Sequence, residues 1–348
     1  IRDLNIDLNL DKSFSKNYSE LYKDTTGTSG LARLSPYASG SFSISYVSYQ
    51  TLFEKFDPNT ISETFKTFEN NRLALSQRLK GVNPYASGNA QGTDGYYEGY
   101  GRYAQDVVIP AFLSAYTKKD PSSIKLFSND NAKINSNPFK GLLPKPNWTV
   151  SYNGLSRIPG LEKIFSNVTM RHGYHSTLAM NSFNTALLFQ DPLRVSYPSF
   201  RDTLTGNYIP YFLIPNITIQ EQFDPLISVD MTLVNEMSVR FEYRKSRQLS
   251  LSLVDYQLAE NRSTEVSFGF SWRKRAFPLL KDIKIGKKGM KLDNDVTFNF
   301  DFSIADQATA NSKLDQATSF GTAGQKIIRI SPSIDYILNR RVSLKFYF

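Results

Sequence analysis

The amino-acid sequence predicts an all-β chain, an antiparallel transmembrane β-barrel that carries a partly helical insertion. Three observations predict it. Apolar and polar residues alternate along many segments of about ten residues, the length of a membrane-spanning strand. No run of 18 apolar residues occurs, which excludes a transmembrane helix. Aromatic residues make up 14% of the chain, with 25 Phe and 20 Tyr. Successive side chains of a strand point to opposite faces, so period two means one greasy face and one wet face. Phe298, Phe300, Phe302 and Ile304 share one face, and Thr297, Asn299, Asp301 and Ser303 the other. The 348 residues are only 40% hydrophobic, with mean hydropathy −0.37, too polar for a bundle of membrane helices. A barrel wall tolerates this because half of every strand faces a wet lumen.

From the N terminus, Leu4, Ile6, Leu8 and Leu10 alternate with Asp3, Asn5, Asp7 and Asn9, a strand over about Arg2–Leu10. A Gly/Ser/Thr-rich loop at Thr25–Gly30 follows, then a strand at about Gly40–Tyr49, where Phe42, Ile44 and Tyr46 oppose Ser41, Ser43 and Ser45. There the period changes. Ile61, Phe65, Phe68, Leu75 and Leu79 recur at helical spacing with Glu63, Lys66, Glu69 and Arg78 opposite, which predicts an amphipathic helix over Asn59–Lys80 ended by Gly81. Its polar face mixes both charge signs, so it is expected to pack on protein rather than on a membrane. Residues 81–146 hold no period and are rich in Gly, Pro, Asn and Tyr, with a short helix expected at Val107–Tyr116. The expected domains are barrel strands over 1–50, an insertion over 51–146 placed inside the pore or at one rim, and barrel strands over 147–348. Ser35–Gly40 and Asn83–Gly88 echo each other and read as turns, since one short repeat does not make a tandem architecture.

Strands are nearly continuous from Trp148 onward. Val168, Met170, Tyr174 and Leu178 alternate with Asn167, Thr169, Arg171 and Thr177, and Ile217, Ile219 and Phe223 with Thr218, Gln220 and Gln222. Ile227–Leu233, Met237–Tyr243, Leu249–Leu253, Val266–Trp272 and Val342–Phe348 repeat the pattern. Tight connections are expected at Asp224-Pro225, Asn235-Glu236, Ser246-Arg247 and Asn339-Arg340, and longer loops at Asp191–Tyr208, Arg273–Leu292 and Asp306–Gln325. The first two turns follow each other closely and would lie at opposite rims, an imperfect fit. Trp148, Tyr152, Tyr243, Tyr256, Trp272, Tyr336 and Tyr347 sit near strand ends, as interfacial girdles require. The total is roughly a dozen strands, with ends good to a few residues.

The net charge is +9, and much of the excess lies between Arg273 and Lys291, where eight cations meet a lone Asp282. Such a loop beside a membrane strand suits anionic lipid head groups or lipopolysaccharide phosphates. A simply solvated loop fits equally well. Nucleic acid is unsupported, because no aromatic platform accompanies the charge. With no cysteine, disulfides, thiolate metal sites and cysteine nucleophiles are excluded. The two histidines, His172 and His175, stand three apart on a strand and face opposite ways, so they cannot chelate one metal. No GxSxG elbow is present, and Gly99-Tyr100-Gly101 lacks the rest of a phosphate fingerprint. Catalytic, cofactor-binding and metal-ligating residues are therefore expected to be none.

Several stretches resemble the SprA/Sov family, the outer-membrane translocon of the type IX secretion system in Bacteroidetes bacteria. They are Gln105–Thr117, Pro144–Trp148 with Tyr152–Leu155, Gln222–Thr232, Glu242–Arg247 and Ile330–Tyr336, which span nearly the whole chain in order and match the C-terminal part of a far longer protein. The resemblance implies a very wide gated barrel in the cell outer membrane that passes folded cargo bearing C-terminal sorting domains. It also implies a PorV-like barrel protein at a lateral opening, a periplasmic plug protein and a link to gliding motility. Two other classes compete. A TonB-dependent receptor needs a plug domain and TonB box, both unseen, and a soluble β-rich adhesin needs polar outward strands. The chain starts at Ile1 and stops at Phe348 within strand patterns, so a partial chain and an open wall segment are expected. The alternative is about twelve strands closing on themselves, with Phe348 as a terminal assembly signal.

Overall fold

A computed structural model describes residues 3–24, 31–130, 136–275, 295–314, 316, 319–339 and 342–348. The twelve strands of one antiparallel sheet are β1 (Leu4–Asn9), β2 (Lys12–Asp24), β3 (Leu31–Ser45), β4 (Asn147–Tyr152), β5 (Phe165–Thr185), β6 (Phe212–Leu213), β7 (Asn216–Leu233), β8 (Met237–Ser252), β9 (Gln257–Lys274), β10 (Asp295–Lys313), β11 (Ser319–Asn339) and β12 (Val342–Tyr347). Two helices, α1 (Glu63–Val82) and α2 (Gln105–Tyr116), lie between β3 and β4.

β3 and β4 are two parts of one line. β3 pairs with β5 from Ser39↔Asn184 to Ser45↔Thr177, and β4 resumes at Trp148↔Tyr174. The Lys145 amide donates to the Ser45 carbonyl at 2.9 Å, so the chain leaves the sheet after Ser45 and returns to the same point. β1 and β2 are likewise in line, pairing with β4 and β3 across a break at Leu10–Asp11. The sheet is thus β1-β4-β5-β7-β8-β9-β10-β11-β12 across, nine positions wide and open at both edges. Each neighbour is antiparallel, so an odd width makes β1 and β12 run the same way. Closing this sheet on itself would require a parallel pair, which nothing else in it uses. The dozen-strand closed barrel is not what the chain forms, and β1 does not pair with β12.

One face of the sheet carries the core. Phe42, Ile44, Leu178, Met180, Phe183, Ile217, Ile219, Leu249, Leu251 and Leu258 pack against Phe65, Phe68, Leu75 and Leu79 of α1 and against α2, whose residues from Val107 to Tyr116 are all buried. α1 starts where Ser62 accepts a hydrogen bond from the Phe65 amide, 3.1 Å. It runs through Gly81 to Val82, and Asn83 leaves it in an extended conformation. The stop is not Gly81 but Pro84, which bars the helical region to the residue before it. α2 is tied to the sheet by Gln105, whose side chain donates to the Phe212 carbonyl (2.8 Å) and accepts from the Ile214 amide (2.7 Å), filling the free edge of β6.

Four sequence expectations need correction. Asp224-Pro225 is not a turn: β7 runs through it as a bulge, and the misfit of two successive turns at opposite rims disappears. Ser246-Arg247 is not a turn either, because β8 continues to Ser252 in unbroken register with β9. Asp306–Gln325 is not a long loop but the ends of a hairpin, with β10 reaching Lys313 and β11 starting at Ser319. Ser35–Gly40 lies within β3, so of the two echoed segments only Asn83–Gly88 makes a turn. Arg247 is buried under the insertion and Asp224 pairs with Arg244 across strands, so neither interrupts its strand. The basic stretch of Arg273–Lys291 lies outside the described residues beyond Arg275.

Gly40 marks where β3 meets its neighbours most closely. A Cβ there would collide with the Ser15 carbonyl and the Phe183 ring. Overpacking of this kind typically costs about 1–3 kcal/mol. Gly40→Val is expected to lower the thermal unfolding midpoint, and an unchanged midpoint would place β2 elsewhere.

Candidate functional site

The functional unit is the sheet itself, because its faces differ in a regular way. Directly opposed residues in an antiparallel pair point to the same face, so the register assigns every side chain from β7 to β11. One face is predominantly polar, with Ala305, Ile327 and Ile337 among its apolar exceptions. Its rows include Thr169-Asp230-Arg240-Gly269-Asp301-Ser331, Arg171-Ser228-Glu242-Ser267-Ser303-Arg329 and His175-Gln222-Ser246-Ser263-Gln307-Gln325. Charges on it are paired across strands, as in Arg240–Asp230 (2.6 Å), Arg244–Asp224 (2.9 Å) and Arg273–Asp295 (2.7 Å), and Asn299 bridges Ser271 (2.8 Å) and Asp335 (3.0 Å). Gly269 leaves a gap in the first row between Arg240 and Asp301; a Cβ there would stand 3.1 Å from the Asp301 carboxylate.

The other face changes character along the strands. Five successive rows are apolar: Ile227-Tyr243-Val266-Ile304-Ile328, Val229-Phe241-Phe268-Phe302-Ile330, Met231-Val239-Phe270-Phe300-Pro332, Met237-Trp272-Phe298-Ile334-Phe346 and Val296-Tyr336-Leu344, where Lys274 faces Val296. Among the described residues no element covers the first four, where Phe241, Phe268, Phe300, Ile328, Ile330 and Phe346 are exposed, whereas Val296 and Tyr336 of the fifth row are buried. From Phe298 to Ile304 the uncovered band runs about 20 Å along the strands at roughly 3.3 Å per residue. The next row, Tyr174-Phe223-Lys245-Thr264-Asp306-Lys326, brings charge, and beyond it the insertion covers the face. The insertion therefore sits on the apolar face and not on the polar one. Aromatic side chains cluster at both limits of the band. Tyr49, Trp148, His172, Tyr174 and Phe223 pack together at one, and Trp272 stacks on Phe298 (5.9 Å) with the Lys274 ammonium over it at the other.

At the band's edge the insertion begins with a strap, residues 48–59, that crosses the strands. Two buried arginines hold its carbonyls. Arg247 donates to Ser48 O (3.3 Å) and Thr51 Oγ1 (2.8 Å), and Arg262 to Thr51 O (3.3 Å), Leu52 O (3.1 Å) and Glu54 O (2.7 Å). Glu221, fully buried, pairs with Arg247 and accepts from Ser48 Oγ (2.6 Å) and Tyr174 OH (3.0 Å). Glu260 completes the group at 2.6 Å from Arg262 and 3.8 Å from Arg247. The strap ends on β11, where Ser319 Oγ donates to Pro58 O at 3.2 Å. Sequence reading missed this cluster. Two Glu and two Arg on the otherwise apolar face of three adjacent strands were the available signal.

The insertion holds one further ionisable group in an apolar setting. Asp106, in the first turn of α2, is half-buried beside a small cleft lined by Tyr100, Leu126 and Phe127. Burial pushes its carboxyl up to about 7, against a weaker opposite pull from the Asn129 side chain. A raised folded-state value means stability that is full below the ordinary aspartate range near 3.8 and lost as pH rises through about 7. Hydrogen exchange of α2 amides, corrected for intrinsic rates, is expected to show less protection at pH 8 than at pH 5. Asp106→Asn should flatten that difference, and an Asn variant as pH-sensitive as the parent would remove Asp106 as the cause.

His172 and His175 straddle the bulge in β5, and His172 Nδ1 lies 2.7 Å from the Leu226 carbonyl. Among the described residues no cluster of three or more His, Asp or Glu is arranged to hold a metal, and no helix is long and apolar enough to cross a membrane. No protein-family model matches the chain, and no curated protein matches it.

Proposed function

We propose that this chain is part of the wall of a transmembrane β-barrel, with the polar face lining a hydrated lumen and the four uncovered apolar rows facing hydrocarbon. The observation that carries the reading is the bare band itself. Its uncovered rows span about 20 Å of the roughly 25 Å apolar belt of outer-membrane barrels, and aromatic side chains gather at its two limits. A soluble adhesin would leave this surface in water, where so large a contiguous apolar patch is rare.

Both edges, β1 and β12, carry the alternation to the sheet's margin, and unpaired backbone groups in lipid cost several kcal/mol each. The wall is therefore completed by further strands. Because β1 and β12 run the same way, an all-antiparallel barrel needs an odd number of them. A ring of identical copies about the membrane normal would instead set β1 against a parallel β12.

The resemblance noted in the sequence extends this to a protein-conducting translocon of the outer membrane, of the type IX secretion kind. Its partners would be cargo with C-terminal sorting domains, a PorV-like barrel protein and a periplasmic plug protein. Paired, hydrated charges and Ser, Thr and Asn side chains offer passing cargo little apolar surface to adhere to. Passage needs no chemistry from the wall. A photo-crosslinking residue at Ser303 in living cells is expected to capture secreted cargo, and the same residue at Phe302 is not. Equal capture from both positions, or from neither, would sink the assignment of the lumen.

A further inference from the structure

We infer that the strap, residues 48–59, is a membrane-interface contact that seats the insertion on the bilayer surface, with Phe53 at the acyl boundary and Lys245 offered to a lipid phosphate. The inference rests on the proposed membrane-spanning band and locates where that band ends.

Four observations place the strap there. Its carbonyls are held by Arg247 and Arg262, which stand opposite each other in one cross-strand row. The next row toward the band contains Phe223 and Lys245, and Phe53 reaches it: its ring lies 5.5 Å from that of Phe223, with the Lys245 ammonium 5.1 Å from its centroid. One row further, Ile227 and Tyr243 begin the bare apolar face. Phe53 is thus about 7 Å along the strands from the first lipid-facing row, at roughly 3.3 Å per residue. It is also 49% exposed, although the strap around it is firmly tied and Leu52 beside it is wholly buried.

The charge pattern names the occupant. Among the described residues no carboxylate lies within ion-pair distance of Lys245, while Arg247 and Arg262 stand behind it, their own charge taken by Glu221 and Glu260. Lys55, next but one to Phe53, is exposed. An aromatic ring at the acyl boundary with ammonium groups just above it is the arrangement of an interfacial segment, with the apolar side a few ångström deep and cations at the head groups. A protein partner would leave unexplained why the exposed ring adjoins the band and not the insertion's outer surface.

The chain contains no cysteine, so single-cysteine spin labels report cleanly. In the full protein reconstituted in nanodiscs, labels at Phe53→Cys and Lys55→Cys are compared with Phe300→Cys in the band and Ser267→Cys on the polar face. Oxygen, which concentrates in lipid, and a water-soluble nickel chelate serve as relaxers. Position 53 should resemble a shallow version of position 300, and position 55 should lie at head-group depth. In discs containing phosphatidylglycerol the label at 53 is expected to move deeper than in pure phosphatidylcholine, and Lys245→Gln should abolish that difference. A label at 53 as nickel-accessible as one at 267, with 300 in lipid, overturns the interfacial strap while the membrane reading stands. If 300 is also nickel-accessible, both fail. A depth at 53 that ignores lipid charge, or a Lys245→Gln variant that keeps the response, removes Lys245 as the phosphate contact.

Discussion

Replacing Arg247 with Leu is expected to destabilise the packing of the insertion on the sheet by about 3–5 kcal/mol, the cost of leaving a buried opposite charge without its partner. Arg247 is 1% exposed, Glu221 is fully buried against it and Glu260 is 6% exposed, so neither carboxylate can turn to water. The same substitution removes the hydrogen bonds to Ser48 O and Thr51 Oγ1 and the guanidinium over the Tyr116 ring, 5.6 Å from its centroid. The strap would lose its fixed path, and α2, which it precedes, would lose its floor. Arg240→Ala on the polar face is the contrast. That guanidinium pairs with Asp230 at 2.6 Å but is two-thirds exposed, and an exposed pair is worth at most about 1 kcal/mol. Urea titration with exchange of the α2 amides as readout separates the two. Similar losses at 247 and 240 would show that the buried cluster does not anchor the insertion.

That cluster also explains where sequence reading stopped. Alternation located the strands of the band, because Phe298, Phe300 and Phe302 face away from Asn299 and Asp301 whatever lies beyond. Helical spacing located α1 to within a few residues, since Phe65, Phe68, Leu75 and Leu79 form one stripe. The pattern failed where one strand serves two environments. β8 presents Val239, Phe241 and Tyr243 to the open face and Leu249 and Leu251 to the insertion, with Lys245 and Arg247 between them. Read alone, that charged pair looks like a break, and Ser246-Arg247 was taken for a turn for that reason. What buries Arg247 comes from residues 48–54, far away in sequence, and no local pattern announces it. β2 was missed for a related cause. Lys12 and Lys16 interrupt its apolar positions, yet their ammonium groups donate to the carbonyls of Leu142 (2.7 Å) and Ser136 (3.4 Å) in the insertion. The side on which the insertion packs was equally hidden, because it depends on unbroken register over whole strands.

Arginine at position 300 should then separate a membrane wall from every soluble reading of the same sheet. Phe300 stands in the third of the five apolar rows, between Phe270 and Pro332, so it is placed nearest the bilayer midplane. A charged side chain there is expected to cost about 2–4 kcal/mol in unfolding from lipid vesicles, and about 0–1 kcal/mol near an interface. Ile328→Arg, exposed in the first apolar row beside the charged row of Asp306 and Lys326, should fall in the lower range. Ser267→Arg on the polar face is flanked by Glu242 and Ser303 and should change stability by no more than about 0.5 kcal/mol, as solvated positions do. The depth dependence is the informative part, because in water Phe300→Arg would merely trade one exposed side chain for another. Guanidinium unfolding of the vesicle-inserted protein should therefore rank position 300 well above 328 and 267. A flat profile across the three would mean that the aromatic band meets water or protein and not hydrocarbon.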